Sequence, residues 1–138
     1  MSATDLRASS TRMRHVVRLA GVVIGYSELE DASPGDGRAH GHFRPGIGYE
    51  LVELVFRLFA DAVPRRGGGV VDETKLERYH RSRDALGLTL EEADGTVVKT
   101  SGIHIADYAS EQGAEGRALE VLISDAGYWE RRAARDGV

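Results

Sequence analysis

His40 and His42 stand at i and i+2 in the run Arg38 to Arg44, RAHGHFR. If that run is a strand, both imidazoles leave the same face, which is how metal sites gather two nitrogen ligands. His104, flanked by Ile103 and Ile105, is the candidate third ligand, with Asp36 or Glu30 to complete a divalent-metal set. That reading describes a metal-binding protein or a metal-dependent hydrolase using His40, His42 and His104. A solvated strand face accounts for the same residues without an ion, because His-x-His alone is a short pattern. Imidazoles more than about 8 Å apart would not share one zinc.

Glu28, Glu30, Asp31 and Asp36 form a second group, in which carboxylates at strand ends could hold a cation or divide acid and base roles. Charge beside a turn serves solubility equally well, and DASPGDG lacks the further ligands and terminal glutamate of a calcium loop. Other chemistries are excluded more firmly. The chain has no cysteine, so disulfides, thiolate zinc sites, iron–sulfur clusters and cysteine nucleophiles are ruled out. There is no G-x-S-x-G elbow, and Ser101 near Gly102 and His104 is a spacing that strands produce by chance. RRGGG fits neither a P-loop nor a dinucleotide fingerprint, so no phosphate cofactor is implied.

The third group is a surface. Arg65, Arg66, Lys75, Arg78, Arg81 and Arg83 interleave with Tyr79 and His80, a mixture suited to both protein interfaces and single-stranded nucleic acid. Asp72, Glu73, Glu77 and Asp84 interrupt it, so a solvated helix with pairs such as Glu77 with Arg81 is the plainer account. Tyr128, Trp129, Arg131 and Arg132 make a similar group, either a packing anchor or a hot spot. Tyr79, Arg81, Tyr128 and Trp129 are therefore the candidate interface residues. The net charge of −4 argues against a nucleic-acid partner, which demands a concentrated positive face.

Positioning these groups requires a scaffold, and its centre is the stretch Gly46 to Val63, GIGYELVELVFRLFADAV. Ile47, Leu51, Leu54, Val55, Leu58, Phe59 and Ala62 recur at three- and four-residue steps, opposite Glu50, Glu53, Arg57 and Asp61. The pattern predicts one long amphipathic helix of about 27 Å between Pro45 and Pro64, with Val52 and Phe56 widening its apolar face.

Before it, the β-branched run His15 to Glu30 reads as one long strand, with Gly21 and Gly25 as bend points. DASPGDG reads as the turn into a second strand, Arg38 to Arg44. After it, Asp72 is the expected N-cap of a short helix from about Glu73 to Asp84. Leu86 to Glu91, the segment TVVKTSGIHIADYA and RALEVLIS then read as a three-stranded meander, its first turn set by Asp94-Gly95. Glu130 to Asp136 suggests one or two helical turns.

The length of 138 residues suits one domain, and residues 1–13 read as a disordered tail before a single domain from 14 to 138. The expected architecture is α+β: β-β-α-(α)-β-β-β, a curved antiparallel sheet of about five strands wrapped on the long helix, with a partly closed barrel as its rival. Seventeen glycines favour that curvature. No apolar run reaches a membrane span and the opening residues lack the apolar middle of a secretory signal, so a cytoplasmic location without a membrane partner is expected. With no concentrated set of titratable groups, the chain reads as a binding domain whose partner is another protein or a second copy. No cofactor is expected unless the histidines take a divalent metal. A ligand-binding barrel is a third reading, and needs a cavity of about 300 Å³ or more.

Overall fold

The computed structural model describes residues 14–64 and 70–136, so the expected N-terminal tail and the RRGGG joint lie outside the described residues. The chain is α+β, as expected, but the strands form two antiparallel sheets rather than one curved sheet or a barrel. The first sheet runs β5-β2-β1-β6-β7, from β1 (His15–Leu19), β2 (Val22–Ser27), β5 (Arg44–Pro45), β6 (Thr89–Glu91) and β7 (Val97–Val98). The second runs β3-β4-β9-β8, from β3 (Asp31–Ser33), β4 (Arg38–His42), β8 (Thr100–Asp107) and β9 (Arg117–Ile123).

The expected single strand from His15 to Glu30 is a hairpin. Leu19 pairs with Val22, leaving a two-residue turn in which Ala20 (φ 47°) and Gly21 (φ 87°) are both left-handed. Two positive φ values match the twist of a tight hairpin, and glycine accepts the second without strain. A second left-handed residue other than glycine, Leu29 (φ 45°), turns the chain out of β2 and into the other sheet. Its amide donates a hydrogen bond to Ser27 Oγ at 3.1 Å, and its carbonyl accepts one from Arg132 at 2.7 Å.

The sheets diverge again at Lys99. Val97 and Val98 pair with β6, whereas Thr100 onward pairs with β9, so one extended run serves both layers. The register slips between Thr100 and Gly102, at the glycine where a bulge is expected. Side chains from both sheets interdigitate in one core: Val17, Ile24 and Leu90 from the first, Ala39, Ile105, Leu119 and Val121 from the second.

The central helix is shorter than its periodicity implies. A 3-10 turn at Tyr49–Leu51 leads into helix α1 (Glu53–Ala62), ten residues and about 15 Å long. Val63 closes it just ahead of Pro64, as the proline requires. Helix α2 (Glu73–Leu86) has the expected cap: Asp72 accepts a hydrogen bond from the Lys75 amide at 3.1 Å. Left-handed Gly87 (φ 67°) ends it. A short α3 (Ala109–Gln112) lies in the β8–β9 connection, and the last helix, α4 (Ala126–Asp136), starts a full turn earlier than expected. No helix among the described residues is long and apolar enough to cross a membrane.

Candidate functional site

Helix α1 and the segment leading into it divide their apolar residues between two sides. Tyr49, Val52, Phe56 and Ala62 are buried, while Ile47, Leu51 and Leu54 are 94%, 63% and 75% exposed. The expected core stripe is thus partly reversed: Val52 and Phe56, read as merely widening it, are its centre. Leu54 and half-buried Leu58 lie one turn apart on the flank of α1, and exposed Leu51 sits in the 3-10 turn just before it. Ile47 precedes Leu51 by four residues. The segment around Ile47 is held to β2 by hydrogen bonds from Gly46 N to Ile24 O at 2.7 Å and from Gly48 N to Val23 O at 2.9 Å. Val22, itself 40% exposed, approaches Gly48 so closely that a Cβ there would strike it. The result is an open apolar ridge bordered by Glu50, Glu53 and Arg57, with Glu53 paired to Arg57 and Arg117 at 3.8 Å each.

A second feature lies between α2, the end of α1 and the second sheet. Tyr79 and Phe59 wall a cavity of about 370 Å³ whose sheet side carries Ser101, His104 and Glu120, with His80 and Arg83 entering from α2. The Tyr79 hydroxyl is hydrogen-bonded to His104 Nδ1. Phe59 meets the His104 ring edge-on at 4.4 Å between centroids, and the Arg83 guanidinium lies 5.5 Å from the centre of the Tyr79 ring. Burial, with help from the positive charges of Arg83 and His80, lowers the His104 pKa to about 4, so the imidazole is neutral near pH 7. Burial likewise pushes the Tyr79 hydroxyl well above its ordinary value, partly opposed by Arg83.

Cross-strand register explains part of this grouping. His40 and His104 both lie opposite Glu120 on β9, from its two sides, so their backbones are about two strand spacings, roughly 10 Å, apart. Glu120 is thus flanked in the sheet by both histidine positions.

The candidate metal ligands are distributed as follows. His40 lies 3.9 Å from Asp31, and His42 lies 4.0 Å from Glu115. His104 is engaged by Tyr79. Among the described residues, no group of three or more His, Cys, Asp or Glu side chains could hold a metal ion. Of the acidic cluster, Glu30 accepts a hydrogen bond from the His42 amide at 2.9 Å, Asp31 stands beside His40, and Glu28 lies 4.0 Å from Arg44.

The candidate interface aromatics are mostly internal. Tyr79 and Tyr128 are fully buried, and Trp129 packs half-buried against the core, so only Arg81 stands in solvent, paired with Glu77 at 3.1 Å. Tyr128 instead links the two ends of the described chain: its hydroxyl meets His15 Nε2 at 3.0 Å and accepts a hydrogen bond from Arg132 at 2.9 Å. Sequence reasoning singled out Tyr79 and His104 for separate purposes and gave no role to Phe59 or Glu120 as site residues. Only alternation along β9, which sets Glu120 opposite buried Leu119 and Val121, hinted that Glu120 faces away from the core.

The chain matches no protein-family model, no curated protein and no solved structure.

Proposed function

We propose that this chain acts by binding, and that the partner is a second copy of itself joined through the ridge of Ile47, Leu51, Leu54 and Leu58. The observation that carries the reading is the exposure of Leu54 on α1 and of Ile47 and Leu51 in the segment leading into it, while Val52 and Phe56 beside them are buried. Leu54 and Leu58 lie one turn apart on α1, and Leu51 and Ile47 carry the apolar ridge on into the segment before it. A two-fold axis near Leu54 would set Leu51 of one copy against Leu58 of the other. The same axis would bring Glu50 of one copy toward Arg57 of the other, an opposite-charge pair at each end of the seam.

Light scattering on the purified chain over a range of concentrations tests this. The expected mass is twice the 15.0 kDa of the chain, returning to one copy in Leu54→Lys with the circular dichroism unchanged. A single-copy mass at about 100 μM, or a dimer that Leu54→Lys leaves intact, overturns the proposal. Retention of a different protein by the wild-type ridge, with no dimer, would transfer the surface to that partner and equally reject self-pairing.

A further inference from the structure

We infer that the cavity between α2 and the second sheet is a binding site for a small zwitterion of the amino-acid type, one carrying an ammonium and a carboxylate on a single apolar body. The inference is independent of the pairing ridge.

Size is the first constraint. About 370 Å³ lies near the lower end of the roughly 300 to 1,000 Å³ of small-molecule sites, which suits an amino acid better than a nucleotide. Charge is the second. The Glu120 side chain lines the cavity and makes no ion pair or hydrogen bond among the described residues, so its carboxylate is available to an ammonium group. Arg83 lines the same cavity. Asp84 engages its Nε and Nη2 at 3.2 and 3.1 Å, and the Arg83 guanidinium is the positive charge that a ligand carboxylate would meet there. A plain anion would meet repulsion from Glu120, and a plain cation would meet Arg83.

The walls supply the third constraint. Phe59 and Leu122 offer apolar surface to the ligand body. The rings of Phe59, Tyr79 and His104 are fixed by mutual edge-on or tilted contacts at 4.4 to 5.5 Å, so the pocket is formed before a ligand arrives. His104 is neutral near pH 7 and adds no charge that would upset the balance of Glu120 with Arg83.

The test compares three probes that share one body: phenylalanine, phenethylamine without the carboxylate, and 3-phenylpropanoate without the ammonium. Binding is read by NMR as shifts of the His104 and Tyr79 ring signals in the full chain. Phenylalanine is expected to bind about tenfold or more tightly than either truncated probe, the range of one charge-assisted hydrogen bond. Glu120→Gln should remove the advantage of phenylalanine over 3-phenylpropanoate, and Arg83→Gln its advantage over phenethylamine. Circular dichroism checks that both variants stay folded. Equal affinity for the three probes, unchanged preference in the variants, or no shift with phenylalanine at about 10 mM overturns the inference.

Discussion

Protonating His104 should destabilise the fold by an amount that its surroundings set. Burial, aided by Arg83 and His80, lowers its pKa from 6.5 to about 4. Between those values the unfolded chain holds a proton that the folded chain refuses, so stability rises with pH across that window. The full contribution is present above about pH 6.5 and is lost as pH falls toward 4. At about pH 4.5 the unfolded imidazole is almost wholly charged and the folded one mostly neutral. With 1.36 kcal/mol per pH unit, the loss relative to about pH 7.5 is roughly 2.5 kcal/mol. Carboxylates titrate nearby in pH, so the comparison is made against His104→Gln, which retains an acceptor for the Tyr79 hydroxyl. Urea unfolding of both proteins at the two pH values isolates the histidine: the gap between them should change by about 2 to 3 kcal/mol, in the direction that penalises the wild type in acid. A change below about 0.5 kcal/mol, or an NMR titration of His104 centred near 6.5, would refute the reasoning.

Two further outcomes concern buried polar groups. Asp107 accepts hydrogen bonds from the Tyr49 hydroxyl at 2.7 Å and the Ala109 amide at 3.0 Å, and lies 3.3 Å from Arg117. Burial alone would raise its pKa, but these partners together outweigh burial and hold it below the usual carboxylate value. Asp107→Asn should therefore cost about 2 to 3 kcal/mol at neutral pH by urea unfolding, and the deficit should shrink as pH falls below about 4, where the wild-type carboxylate loses its advantage. Tyr128→Phe strips the shared partner from His15 and Arg132, and thermal unfolding should register a loss of about 1 to 3 kcal/mol; an unchanged midpoint would show that water replaces the hydroxyl.

Local chemistry was legible in the sequence wherever one or two neighbouring residues decide the geometry. Asp72 capping α2 and Pro64 following α1 act through their own side chain or backbone, whereas Gly87, which alternation placed in a strand, instead ends α2. The hairpin at Ala20-Gly21 was hidden because alanine carries no turn signal, so an unbroken β-branched run masked a reversal. Periodicity located the apolar residues of α1 but could not distinguish the side facing the sheets from the side facing solvent, since Leu51 and Phe56 weigh alike in such a pattern. The cavity was the least visible feature. Phe59, Tyr79, His104 and Glu120 come from four separate elements, and register across β9 and the packing of two helices are needed to unite them.

The link from Tyr128 to His15 spans 113 residues, and it governs the order in which the molecule can be finished during synthesis. As the ribosome releases β1 and β2, the imidazole of His15 has yet to meet the phenol that will receive it, and Leu29 turns without the guanidinium that later grips its carbonyl. The earliest ribbon therefore lacks these two polar anchors until α4 emerges. Nascent chains halted before Tyr128 should be the forms that chaperones hold and proteases cut.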